Sequence, residues 1–213
     1  MRGHDQNQLG TGALSATFQP ALFAPSDSRP RRTELDTTSW VELASGWLAG
    51  AAELFSELVE SAPWQQRERR MYEKWLLEPR LTAEIHDLAA APPRLREASD
   101  ALSSHYGVRY DSLWLNLYRD GRDSTAWHGD RISCRKPECI VPVLTLGATR
   151  RFLLKPRTGG KSLVFAPVSG DVLVMGGRCQ RDWVHAVPKE PQVTGARISV
   201  NFQSSEQGRR TRE

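Results

Sequence analysis

His128 and Asp130 are separated by one residue, so in an extended segment both side chains leave the same face of one strand. A second imidazole, His185, lies in a distant apolar run, Trp183-Val184-His185-Ala186-Val187, from which it can close a triangle. Two imidazoles and one carboxylate on one side of a metal leave open positions for a co-substrate and dioxygen, a donor set suited to non-haem Fe(II). Taken alone a His-x-Asp triplet is a weak motif, and a lone histidine is more often a hydrogen-bonded structural residue.

A distant arginine carries more weight. Arg197 lies 12 residues beyond His185 (197−185) on the alternating run Arg197-Ile198-Ser199-Val200-Asn201-Phe202-Gln203. On such a strand Arg197, Ser199, Asn201 and Gln203 share one face. An arginine there can clamp the distal carboxylate of a dicarboxylic acid whose other end chelates iron. Asn116 and Tyr118 likewise share a face, opposite Leu113, Leu115 and Leu117, and offer an amide and a phenol to the same ligand. Order and chemistry together fit a 2-oxoglutarate-dependent dioxygenase, with His128, Asp130 and His185 as metal ligands and catalytic centre. The co-substrate set is Asn116, Tyr118, Arg197, Ser199 and Gln203.

The blocks Asn116-Leu117-Tyr118-Arg119-Asp120-Gly121-Arg122-Asp123-Ser124, Trp127-His128-Gly129-Asp130, Leu146-Gly147-Ala148-Thr149-Arg150, Gly170-Asp171 and Asp182 to Lys189, in this order, resemble the AlkB family. The resemblance covers roughly residues 79 to 203 and is specific in its order. It implies a double-stranded β-helix jelly roll that uses Fe(II), 2-oxoglutarate and O2 to remove alkyl groups from nucleobases, releasing the alkyl carbon as an aldehyde. The partner it implies is alkylated DNA, single- or double-stranded, or RNA. A base in duplex must be flipped out to reach such a centre, and Trp75, Trp114 and Trp127 are candidate walls for it. Pro79-Arg80-Leu81-Thr82-Ala83 is similar to the start of the family's nucleotide-recognition lid, although Glu84, Ile85 and His86 come next where members often carry an aromatic pair. Two further departures concern the site. Many members have a second arginine six residues after the first on the last strand, where this chain has Gln203. Many have an acid two residues after the metal aspartate, where this chain has Ile132 after Arg131. Base preference is therefore left open by the resemblance. The rival readings are an oxygenase of RNA or protein and a lesion-binding module without catalysis.

The elements that must hold these residues are legible in outline. With 213 residues, 39% hydrophobic and 25% charged, the chain suits one globular domain, and no stretch has the apolar length of a membrane span. Without a secretory pattern at its start, cytoplasm and a monomer are the expectation. Three cysteines are too few for a disulfide framework, and cytosolic thiols are normally reduced. The spacing of Cys134 and Cys139, with Cys179 beyond, lies at the edge of zinc-knuckle spacing with no fourth ligand at a suitable distance. A net charge of +4 and a pI near 9.2 have the sign that attracts phosphate. Arg80, Arg131, Arg150, Arg151, Lys155 and Trp127 are the candidate nucleic-acid contacts.

Along the chain, residues 1–33 read as a disordered leader in which Phe18 to Phe23 could dock, and residues 34–203 as one dioxygenase domain. Within it, residues 34–111 hold helices and lid and residues 112–203 the jelly-roll core, giving an α+β fold with helices buttressing the sheets. Ser39 with Glu42 forms a candidate capping box for a helix running through Leu54, Phe55, Leu58 and Val59 to near Pro63. A second helix fits Arg94 to Tyr106, ended by Gly107. Strands are expected at Ser112 to Tyr118, Ile140 to Leu146, Arg151 to Leu154, Ser162 to Phe165, Val172 to Met175, Trp183 to Val187 and Arg197 to Gln203. Ser204 to Glu213 reads as a mobile basic tail.

Overall fold

The computed structural model describes residues 30–71, 74–130 and 134–208. The first half of the chain carries strands β1 (Arg31–Glu34) and β2 (Ser39–Ala44), helix α1 (Ala51–Ser61), a hairpin of β3 (Glu68–Met71) and β4 (Lys74–Leu77), β5 (Leu81–Ile85) and helix α2 (Pro93–Tyr106). The second half carries β6 (Ser112–Tyr118), β7 (Thr125–His128), β8 (Val141–Gly147), β9 (Phe152–Pro156), β10 (Leu163–Phe165), β11 (Val172–Gly177), the single turn α3 (Cys179–Asp182), β12 (Trp183–Val187) and β13 (Arg197–Gln203). The strands form a seven-stranded sheet in the order β1-β2-β11-β8-β13-β6-β5, a four-stranded sheet in the order β10-β9-β12-β7, and the separate β3-β4 hairpin. The pairings are antiparallel throughout the described residues. From β6 onward the chain passes repeatedly between the two larger sheets, with β6, β8, β11 and β13 in one and β7, β9, β10 and β12 in the other.

Side-chain alternation explains why the large sheet separates two environments. On β6, Leu113, Leu115 and Leu117 join a core with Leu54 and Leu58 of α1 and Leu95, Ala98 and Leu102 of α2. The intervening Trp114, Asn116 and Tyr118 line a cavity on the other face. β13 repeats the division, with Ile198, Val200 and Phe202 toward the helices and Arg197, Ser199, Asn201 and Gln203 toward the cavity. Because the strand period is two, a slip of one residue would exchange these faces and bury the polar set against the helices. A second core, built from Val141, Val143, Phe152, Leu154, Leu173, Met175 and Trp183 among others, fills the space between the sheets.

Helix α2 forms where the sequence places it, with Pro93 in its first turn and Gly107 at φ 63° closing it, a left-handed conformation that costs glycine no Cβ clash. The strands from Ser112 onward also lie close to their expected positions, those at Trp183–Val187 and Arg197–Gln203 with the same bounds.

Four expectations are corrected. Ser39 and Glu42 do not cap a helix: they belong to β2, which pairs with β1 on one side and β11 on the other. Two backbone ladders satisfy more groups than one cap can, Glu42 accepts instead from the Tyr106 hydroxyl at 2.7 Å, and α1 starts only at Ala51. Residues Arg31 to Thr33, assigned to the leader, are part of β1, held by the β2 ladder, with the Arg32 guanidinium 3.9 Å over the Trp40 ring. The remaining leader, including Phe18 to Phe23, lies outside the described residues, as do residues 209–213. The start of the expected tail is packed: Ser204 and Gln207 are buried, and the Gln207 amide both accepts from Ile140 N at 2.7 Å and donates to Ile140 O at 3.0 Å. Cys134 and Cys139, read as free reduced thiols, are joined by a disulfide, while Cys179 is a buried free thiol.

Arg150, a candidate phosphate contact by its position in a basic run, is corrected as well. Its side chain is fully buried. It donates to Glu190 Oε2 at 3.2 Å, to Asp120 O and Asp123 O at 2.9 Å, and to Pro188 O at 2.6 Å. These contacts tie the β6–β7 turn to the segment after β12, and no nitrogen is left facing a backbone phosphate. Replacing a fully bonded buried guanidinium strands its acceptors, so Arg150→Met should lower unfolding free energy by about 3 kcal/mol in urea titrations. A surface phosphate contact would leave the urea midpoint unchanged.

Candidate active site

The two larger sheets enclose a cavity of about 490 Å³ whose lining brings together His128, Asp130, His185, Asn116, Tyr118, Arg197, Ser199 and Gln203. His128 ends β7 and His185 stands directly opposite it on β12. Asp130 lies two residues beyond His128, past the strand's end. Its backbone N–H donates to Gln180 Oε1 at 2.8 Å, and the Gln180 amide donates to Met175 Sδ at 3.4 Å. The residue between must be glycine, since a Cβ at Gly129 would lie 2.7 Å from Gln180 O.

Asp130 bridges the two imidazoles, with Oδ1 3.5 Å from His128 Nε2 and Oδ2 3.6 Å from His185 Nε2. The three ligand atoms all lie within 4.8 Å of one another, a separation one ion can span. His128 Nδ1 is 2.9 Å from Ala126 O, which turns Nε2 toward the centre, as metal-bound imidazoles require. Phe152 stacks on the His185 ring with centroids 5.2 Å apart. Burial pushes the Asp130 carboxyl up, but the charges of His185 and His128 outweigh it and hold the group down at about 2. Burial likewise drives His185 down to about 4 against the opposing pull of Asp130. At neutral pH Asp130 is therefore ionised and His185 unprotonated, the forms that bind a divalent metal. At His128 burial pulls the pKa down, but the hydrogen bond and charge of Asp130 outweigh it and raise the pKa, so a metal there competes with a proton.

Arg197 lies in the same cavity, is 1% exposed, and donates from Nη2 to Thr145 Oγ1 at 3.2 Å. Its Nε and Nη1 are buried with no hydrogen-bond partner among the described residues. A buried guanidinium with two unmet donors is costly unless an anion completes it, and burial accordingly lowers its pKa. Tyr118 stands beside it, ring centroid 5.4 Å from the guanidinium carbon, with its hydroxyl 2.8 Å from Thr125 Oγ1. Asn116 donates to Ser199 Oγ at 3.1 Å and accepts from Arg80 Nε and Trp114 Nε1. Gln203 lines the far end of the same inward row of β13.

The candidate nucleic-acid residues separate. Arg80 points into the cavity and bonds to Asn116 and Glu78. Arg151 is half exposed but shares Glu190 with Arg150. Lys155 covers the Trp127 ring at 4.3 Å, and Trp127 is 40% exposed. Arg131 and Ile132 lie outside the described residues. Of the three candidate tryptophan walls, Trp114 lines the cavity under the Arg67 guanidinium, 4.4 Å from its ring, and Trp75 is 66% exposed on the β3–β4 hairpin. Sequence reasoning missed Thr145, Gln180 and Glu78, and read Arg67 only as one of a basic cluster with Arg69 and Arg70. Thr145 had a signal, a lone polar residue in step with Val141 and Val143 on an apolar strand. Gln180 had none, because its role arises from a chance meeting of α3 with the residue after Gly129.

The model of the 2OG-Fe(II) oxygenase superfamily matches residues 43–203. The chain belongs to that superfamily. Among curated proteins it is similar to human "Alpha-ketoglutarate-dependent dioxygenase alkB homolog 3", 29% identical over 172 residues, covering 71% of this chain and 60% of that protein. It is also similar to "DNA oxidative demethylase ALKBH2" of Arabidopsis thaliana, 28% identical, covering 89% of this chain and 74% of that protein. The chain thus spans about three-fifths of the human homologue. Among solved structures, the 2OG-Fe(II) oxygenase family oxidoreductase of Burkholderia pseudomallei aligns with a TM-score of 0.51 at 18% identity, covering 81% of this chain and 89% of that one. OsALKBH1 aligns at 0.54 and 14% identity, covering 82% and 100%. These last two share the fold. The superfamily's Fe(II), 2-oxoglutarate and O2 fit the residues present: an imidazole, carboxylate, imidazole donor set, and a buried guanidinium awaiting a carboxylate.

Asp130 is the single anionic member of the triad, so Asp130→Ala should abolish Mn(II) binding measured by calorimetry while leaving the melting temperature of the metal-free protein near wild type. Arg197→Met should weaken 2-oxoglutarate binding by 30-fold or more, about 2 kcal/mol. The same change should raise ligand-free stability by about 1 kcal/mol, because an unsatisfied buried charge is removed. Unchanged affinity with lowered stability would assign Arg197 a structural role.

Proposed function

We propose that this protein removes alkyl groups oxidatively from nucleobases in DNA, in direct reversal of alkylation damage, on a double-stranded β-helix formed by the two larger sheets. The observation that carries the reading is the placement of the two unmet Arg197 donors in the same cavity as the His128, Asp130 and His185 triad, with Trp114 and the Arg67 and Arg80 side chains around the remaining space. The names of the AlkB homologues supply the nucleic-acid substrate class.

His128, Asp130 and His185 would hold Fe(II) on one side, leaving positions for co-substrate and dioxygen. The metal, when bound, supplies dioxygen activation coupled to decarboxylation of 2-oxoglutarate to succinate. Arg197, with Thr145 and Tyr118 beside it, receives the distal carboxylate of 2-oxoglutarate and so fixes which way that molecule lies. Asn116, held by Ser199, Arg80 and Trp114, forms the floor between the co-substrate end and the space left for a base. Val141, Val143 and Phe152 make that floor apolar and limit water at the reacting carbon. The Trp114 ring offers a face for a flipped base, and the exposed Trp127 with Lys155 offers an aromatic and a cation outside the cavity for the strand. Hydroxylation of the N-alkyl carbon yields a hemiaminal that releases an aldehyde, so the demand on the protein is to hold that carbon in place.

The test is mass spectrometry of alkylated DNA, RNA and peptide substrates after incubation with Fe(II), 2-oxoglutarate and O2. Loss of the alkyl mass from DNA with stoichiometric succinate is expected. Succinate formation with alkyl loss confined to RNA, or with a peptide oxidised instead, overturns the DNA reading.

A further inference from the structure

Apart from Asp130, the one carboxylate among the described residues lining the cavity belongs to Glu78. It sits in the turn between β4 and β5 and is held from both sides by backbone. Its N–H donates to Arg67 O at 2.8 Å, and its carbonyl accepts from Gln66 Nε2 at 3.0 Å and from Arg80 N at 2.8 Å. Its side chain, 18% exposed, places Oε2 3.0 Å from Arg80 Nη2. Arg80, 15% exposed, donates through Nε to Asn116 Oδ1 at 3.0 Å, which also accepts from Trp114 Nε1 at 3.1 Å. An acceptor, a donor and an aromatic ring are thereby locked into one bonded unit on the wall of the cavity that holds the metal triad, close enough for the Arg80 charge to act on His128 and Asp130.

Resting on the dealkylation reading, we propose that the Glu78–Arg80 pair is the base-reading element of this cavity and selects adenine. Adenine presents an amino group next to the ring acceptor N7, so it can donate to a carboxylate while accepting from an adjacent guanidinium. Guanine presents two acceptors, O6 and N7, on that edge, and thymine presents O4. Each sets lone pairs against the Glu78 carboxylate. Cytosine offers its amino group without the neighbouring ring acceptor and meets half of the pattern. Alkylation at adenine N1 adds a positive charge to the ring, which the carboxylate also favours. The position two residues beyond Asp130 holds the apolar Ile132, so the acid comes from the lid side.

The experiment compares wild type with Glu78→Gln on one oligonucleotide carrying 1-methyladenine, 3-methylcytosine, 1-methylguanine or 3-methylthymine. It measures kcat/KM, oligonucleotide binding by anisotropy on the Mn(II)-loaded protein, and 2-oxoglutarate affinity by calorimetry. Wild type should favour 1-methyladenine by at least tenfold over the guanine and thymine adducts. Glu78→Gln should lower turnover and binding of the adenine adduct by about tenfold, in line with loss of one charge-assisted hydrogen bond, raise those of the guanine and thymine adducts by relieving the lone-pair repulsion, and leave 2-oxoglutarate affinity within about twofold. An equal loss on all four bases, or an altered 2-oxoglutarate affinity with the base ratios kept, overturns the proposal and makes Glu78 a support for Arg80. Succinate formation with no alkyl loss from any oligonucleotide brings down the dealkylation reading itself, and this assignment with it.

Discussion

The pairing of β12 with β7 that sets His185 opposite His128 is the constraint on which the site depends. Antiparallel partners directly across a ladder bring their side chains within a few ångströms, and the two imidazole centroids are 4.2 Å apart. Asp130 then has to arrive from beyond the strand end, where the Gly129 contact and the Gln180 side chain bend the backbone to it. A register shift of one residue on either strand would turn one imidazole to the opposite face of the small sheet. β9, which pairs with the other side of β12 and sets Leu154 opposite His185, protects against that slip.

Two buried arginines show how unmet hydrogen bonds separate scaffold from site. Arg150 and Arg197 are each about 1% exposed, and each has its guanidinium within 6 Å of the Tyr118 ring centroid. Arg150 is satisfied by Glu190 and three carbonyls, and what it does is hold two loops together. Arg197 Nε and Nη1 have no hydrogen-bond partner among the described residues. Burying a guanidinium with unmet donors costs stability, and that cost is what the proposed carboxylate ligand would offset.

The large sheet makes this possible because it serves two solvents at once. Its helix side is apolar, drawing α1 and α2 onto Leu113, Leu115, Ile198 and Val200, while its other side carries amide, phenol, hydroxyl and guanidinium groups. The apolar half supplies most of the burial that fixes the strands, and the strands in turn fix the polar groups, which add cross-strand bonds such as Asn116 to Ser199 and Arg197 to Thr145.

The amino-acid order determined the donor set and much of the scaffold. His128, Asp130 and His185 could be read as one cluster and Arg197 as sharing their cavity, and β6, β12 and β13 as strands, because strict alternation assigns faces without reference to any partner. Helix α2 was legible from its periodicity and from Gly107 at its end. What only the tertiary structure decided was whatever depends on a neighbour remote in sequence. Ser39 and Glu42 carry a helix-capping pattern, yet they lie in a strand because β1 and β11 flank them. Arg150 and Arg151 look alike in sequence, and only the approach of Glu190 and Pro188 buries one and leaves the other half exposed. Gln207 packs in what reads as tail because Ile140 offers it both a donor and an acceptor. Glu78 enters the cavity because the lid turn lays its backbone against Arg67 and Gln66. Local pattern reports a side chain's period and chemistry, whereas burial and hydrogen-bond satisfaction are properties of pairs, and those pairs are made only when the chain closes on itself.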